Sequence, residues 1–151
     1  SWLPGSDELM FVEWPHRVRA LHVPTGRVRE IVKTNAWHPS ASPDGRLIVA
    51  DTNAPDRGLI LFPSDGGADP VALCPSAASN EGDHWWGPFP YEDGPISVIA
   101  RQHTHPHPTF SPDGRRILFA SDCSGNSHLY EIDLVAWSRH ASTERGKGSF
   151  S

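Results

Sequence analysis

The stretch RQHTHPHPTFSPDG, residues 101–114, sets His103, His105 and His107 within five residues of one another, separated by Thr104 and Pro106. Neutral imidazole is a common ligand of transition metals. Alternate residues of an extended segment point to one side, so this spacing can bring three ring nitrogens towards one ion. A short His-x-His run is also ordinary polar loop sequence. A matching ligand from a distant part of the chain separates the two readings, and that depends on the elements that carry these residues.

Fifteen prolines and thirteen glycines punctuate the 151 residues, which leaves little room for long helices and favours short strands joined by turns. Three segments share a pattern: LPGSDELMFVEW from Leu3, SPDGRLIVADT from Ser42 and SPDGRRILFASD from Ser111. Each runs from a proline through turn residues into a short apolar strand, at 9–12, 47–50 and 117–120. Proline fixes its own φ and glycine permits a positive one, as a tight turn between antiparallel strands requires. After the first two copies, RVRALHVPTGRVREIV and RGLILFPSDGGADPVALC read as strand pairs around turns at 24–26 and 64–67. The third copy is followed by SHLYEIDLVAW, with one such strand, and then by the polar SRHASTERGKGSFS.

The marker prolines Pro4, Pro43 and Pro112 stand 39 and 69 residues apart. The first spacing fits one four-stranded propeller blade of about 40–45 residues. The second requires an insertion of about 30, visible as the aromatic, Gly- and Pro-rich PSAASNEGDHWWGPFPYEDGPISVIA. The expected fold is therefore all-β, a β-propeller fragment of about three four-stranded blades with SPDG turns of the TolB or WD40 kind. Its blades fall near 1–34, 35–75 and 103–137, with a long inter-blade loop at 76–102 and a polar, disordered tail at 138–151. The first blade lacks most of its inner strand and the last its outer one. Such a piece should self-associate or pair with further blades.

The repeat brings the histidines into register. His107 precedes Pro112 by five residues, and His38 precedes Pro43 by five. Both begin the innermost strand of neighbouring blades, beside the central channel, and His105 shares the side of His107. Three imidazoles from two blades make a metal site. Strand parity on its own adds His103 to that side. His16, His22, His128 and His140 fall among outer-strand, turn or tail residues, and His84 in DHWWGPF either overhangs the site or packs on Trp85.

The formal charge of −5, with both signs interspersed, argues against a nucleic-acid surface, and an acidic ligand would need local cations to overcome the mean field. No apolar run approaches the roughly 20 residues of a membrane span, and SWLPGSDELM has neither a basic region nor a signal core. A cytoplasmic protein with no membrane partner is expected. Cys74 and Cys123 form no CxxC and read as structural.

At HPSASPDGRLIVADT and QHTHPHPTFSPDG the sequence resembles the oligogalacturonate lyases, seven-bladed propellers that cleave short pectin-derived oligouronides by β-elimination. SPDG turns recur in many propellers, so the ligand pattern is the specific part. The resemblance covers residues 2–135 and implies the three carboxy-terminal blades of such an enzyme. It implies a Mn2+ ion held by His38 ahead of one turn and by Gln102, His105 and His107, as Gln-x-x-His-x-His, ahead of the next. Gln102 thereby takes the place that strand parity offers to His103, which needs a turn or bulge near Thr104. Another divalent transition metal, Zn2+, Fe2+ or Ni2+, competes for such a donor set on affinity.

The implied substrate is an oligogalacturonide or related uronide. The implied reaction removes the C5 proton of a metal-bound uronate and expels the C4 oxygen, leaving an unsaturated product. The base implied by the family is an arginine of an earlier blade. None of Arg17, Arg19, Arg57 and Arg101 aligns with it, so no catalytic residue is assigned. Two other functions stand beside the lyase: a non-catalytic metal or sugar-acid binding module, and an interaction scaffold of the TolB or WD40 kind.

Overall fold

The computed structural model of the chain describes residues 1–53, 55–79 and 104–139. Three antiparallel sheets follow one another along them. The first contains β1 (Glu8–Glu13), β2 (Arg17–His22) and β3 (Arg27–Val32) in sequence order. The second contains β4 (Ser40–Ala41), β5 (Leu47–Asp51), β6 (Leu59–Pro63) and β7 (Val71–Cys74). β8 (Thr109–Phe110), β9 (Arg116–Ser121) and β10 (His128–Asp133) form the third. This is the meander of a propeller blade, repeated. The middle sheet has four strands, and the outer two have three each among the described residues. In the first sheet a single bridge, Trp2 to Leu9, stands at the inner-strand position.

The burial of the middle sheet explains its sequence. Ile48, Ala50, Ile60 and Phe62 pack with Met10, Val18, Ala20 and Ile31 of the first sheet. The alternate residues Val49, Leu59 and Leu61 pack with Ile117 and Phe119 of the third. A sheet covered on both faces has no solvent side, so β5 and β6 read as continuous apolar runs, LIVA and LILF, whereas β2 alternates as RVRALH. Each large side chain buried this way contributes about 1.5–3 kcal/mol relative to exposure.

The three turns repeat in atomic detail. The Leu3, Ser42 and Ser111 amides donate to the carbonyls of Glu8, Leu47 and Arg116 at 2.9, 2.8 and 2.9 Å. The Ser42 hydroxyl donates to Asp44 Oδ1 and receives the Leu47 amide, and Ser111 does the same with Asp113 and Arg116. Gly45, at φ +72°, also supports the stacking of one repeat on the next: a Cβ there would meet the Pro4 carbonyl oxygen at 2.5 Å.

Beyond β10 the structure departs from the expected tail. Residues 134–139 are helical, and Asp133 Oδ1 accepts the Val135 and Ala136 amides at 2.9 and 3.0 Å. That is an N-cap. LVAW, which the strand reading of SHLYEIDLVAW took in, is helical instead, and Ser138 and Arg139 belong to the same helix. Residues 140–151 lie outside the described residues. No helix among the described residues is long and apolar enough to cross a membrane.

These local bonds set an acid limit on stability. The Ser42 and Ser111 hydroxyls hold the Asp44 and Asp113 carboxyls below their ordinary value, as the Ser79 hydroxyl does for Asp122 and the Arg29 guanidinium for Glu8. Such carboxyls bind protons more weakly in the folded chain than in the unfolded one, so protonation favours unfolding. Urea midpoints should be level near neutrality and fall as the pH drops through 4.5 and 3.8, the ordinary Glu and Asp values, and below. Stability that rises on acidification through that window would contradict these contacts.

Candidate metal centre

His38 and His107 occupy equivalent places in the second and third sheets. Ahead of β4, Ala36 bridges Thr52 and the Trp37 amide donates to the Asp51 carbonyl at 2.9 Å, so this short segment runs along the end of β5. Ahead of β8, the Ala120 amide donates to the Pro106 carbonyl at 2.8 Å, which sets the His105–His107 segment along the end of β9 in the same way. His107 adopts φ +42°, a left-handed backbone uncommon outside glycine and costing about 1–2 kcal/mol. Strain of this kind concentrates where a side chain must be aimed.

The three rings meet. Those of His38 and His107 stack with centroids 3.6 Å apart, and His105 lies 5.5 Å from the first and 5.7 Å from the second. One ligand atom from each lies within 4.8 Å of the others. Nitrogens bound to one ion at about 2.1 Å are about 3–3.5 Å apart. Three imidazole nitrogens gathered this closely are a donor set that a transition metal takes. Trp37 walls the site, its ring 4.3 Å from His38 and 4.5 Å from His105. Burial, and then the nearby His38, holds the His107 pKa below its ordinary value against an opposing pull from Asp51. A ring with a lowered pKa keeps its lone pair at a pH where a free imidazole begins to lose it.

Asp51, at the end of β5, is 1% exposed. Its Oδ1 accepts the His38 amide at 2.7 Å, its Oδ2 accepts from His38 Nδ1 at 2.8 Å, and the His107 amide approaches Oδ2 at 3.4 Å. Nearby, the Thr104 amide donates to the Ser79 carbonyl at 2.9 Å. The Ser79 amide and hydroxyl both donate to Asp122, and the Ser121 hydroxyl donates to the Ala77 carbonyl. The two sides of the inserted segment are thus pinned together immediately before His105.

The structure brings together His38, His105 and His107 of the expected ligands. Gln102 and His103 lie outside the described residues, as do His84, Arg101 and His140. His16 and His128 are exposed, and His22 pairs with Thr25 far from the centre. Arg17 and Arg19 are held by Glu13, and Arg17 also by Glu30, on the first sheet. Trp37 and Asp51 are the site residues that motif reading missed. An aspartate ending an otherwise apolar strand, LIVAD, was the available signal.

No protein-family model matches the chain. An oligogalacturonide lyase of Pectobacterium atrosepticum is 28% identical over 148 residues, covering 85% of this chain and 34% of that protein. A solved oligogalacturonate lyase in complex with manganese superposes with a TM-score of 0.64 at 25% identity, over 89% of this chain and 34% of that one. Over most of its length the chain is similar to oligogalacturonate lyases in both sequence and fold. It spans about a third of the length of these relatives. TolB from Acinetobacter baumannii superposes with a TM-score of 0.54 at 15% identity, over 84% of this chain and 26% of that one, which shows the shared propeller architecture alone.

Proposed function

We propose that this chain is the metal-holding part of an oligogalacturonate lyase. The observation that carries the reading is the convergence of His38 with His105 and His107 from equivalent positions of two successive repeats. Gln102 completes the ligand set in this proposal, with Mn2+ as the ion, in keeping with the manganese complex of the solved relative. A divalent ion held there supplies Lewis acidity to a uronate carboxylate, which eases loss of the C5 proton. The chain's own contribution is to hold three neutral imidazoles at one point, and Trp37 shields one side of them from water.

No residue is assigned as the base. Blades near 1–34, 35–75 and 103–137, linked by 76–102, form one arc of a ring in this reading. Phe11 and Val28 on the first sheet and Leu118 and Leu129 on the third are large apolar side chains left exposed. Further blades, from the same polypeptide or another copy, cover these flanks and bring the base.

The test is metal content and product formation. Purified without a histidine tag, the chain should bind one Mn2+, and the His105→Ala, His107→Ala double variant should bind none. Ultraviolet absorbance of unsaturated oligogalacturonide product should appear when the remaining blades are supplied, and should vanish with the double variant. A parent chain that binds no divalent ion, or a double variant that still forms product, would overturn the reading.

A further inference from the structure

We propose that Asp51 is the positioning residue of this centre, setting the ring tautomer of His38 and tying the ligands of two sheets to one carboxylate. The inference rests on the metal-site reading above.

The internal repeat isolates the residue. Because the Leu3, Ser42 and Ser111 amides make equivalent bonds to Glu8, Leu47 and Arg116, Asp51 shares its register with Val12 and Ala120. The other two copies form the same strand with an aliphatic side chain there, so the blade has no need of a carboxylate at this place. A buried carboxylate is costly unless its oxygens are well satisfied. Asp51, 1% exposed, spends them on His38 and His107.

The geometry dictates the proton. A carboxylate only accepts hydrogen bonds, so the 2.8 Å contact puts the ring hydrogen of His38 on Nδ1. Nε2 is then left with its lone pair free for an ion. The second bond, from the His38 amide at 2.7 Å to the other oxygen, holds backbone and ring of the same residue against one planar group and leaves the ring little freedom to turn. The His107 amide, 3.4 Å from Oδ2, brings the neighbouring sheet's ligand to the same group. In the third sheet Ala120 takes the equivalent place opposite Pro106, so His107 has no carboxylate of its own there and leans on that of Asp51.

Asp51→Asn separates positioning from bulk. Asparagine fills the same volume but has one acceptor oxygen. If that oxygen keeps the His38 amide, the NH2 group faces Nδ1 and drives the ring hydrogen to Nε2, where it blocks ligation. The experiment has two parts. Long-range 1H–15N correlation spectra of the metal-free parent chain should show His38 as the Nδ1–H tautomer, a measurement that requires no variant to fold. In Asp51→Asn, His38 should switch to Nε2–H while His105 keeps its own tautomer, and Mn2+ affinity by titration should fall about 10–100-fold, the usual effect of losing such an outer partner. A parent His38 found as Nε2–H overturns the inference, as does an Asp51→Asn chain that binds Mn2+ like the parent. A parent that binds no Mn2+ at all overturns the metal reading instead, whatever its tautomer.

Discussion

Replacing His38 with alanine is expected to weaken Mn2+ binding as severely as replacing His105, although 67 positions separate them in the chain. Both rings offer a nitrogen to one cluster, 5.5 Å apart between centroids. Loss of a direct ligand should exceed the roughly 100-fold that removal of an outer partner reaches. His103→Ala should change little. A local three-histidine strand makes the opposite prediction, with His103 essential and His38 irrelevant, so one titration series over these variants decides between them. Binding by His38→Ala at parental affinity would dissolve the shared site. Acidification should release the ion from the parent, because a protonated imidazole cannot ligate and the three rings would carry like charge against each other.

Phe62→Ala should have the largest effect on folding. Phe62 is 1% exposed and pairs with Ile48 across β5 and β6, within the cluster that joins the first two sheets. Removing a buried phenyl ring costs about 3–5 kcal/mol through lost transfer energy and the cavity left behind. A domain of this size has about 5–15 kcal/mol in all, so the variant should be partly unfolded at ambient temperature or close to it. Val23→Ala, at a 48% exposed position beside the first hairpin turn, should stay within about 0.5 kcal/mol of the parent. Urea unfolding followed by Trp fluorescence measures both, and near-equal midpoints for the two variants would show that the sheets do not share this core.

Much of this was legible before any coordinates. The SPDG turns and the apolar runs after them marked the strands to within a residue, because a turn that satisfies its own backbone amides is a local object. The equal offset of His38 and His107 from their turns located the cluster, because a repeat converts sequence register into spatial register. Asp51 left one local mark, a carboxylate closing the apolar run LIVAD, but its partners were not legible: it bonds back to His38 across thirteen positions and meets His107 across fifty-six. The end of β10 misled for a different reason. LVAW is a short apolar run that strand and helix share, and the Asp133 carboxylate, accepting the Val135 and Ala136 amides, caps it as a helix. Strand parity also favoured His103 over Gln102, and neither residue is among those described.

The pin between Ser79 and Thr104 bears on how such a protein can evolve. Because the Thr104 amide and the Asp122 carboxylate clamp Ser79, the sheets and the imidazoles are tied off on both sides of residues 80–103. The entropic cost of closing a loop grows only with the logarithm of its length, about 0.6 kcal/mol for each doubling. Descendants can therefore lengthen, shorten or rewrite residues 80–101 at little cost in closure entropy, so natural selection gains a stretch to vary while the pinned segment that carries His105 and His107 keeps its place.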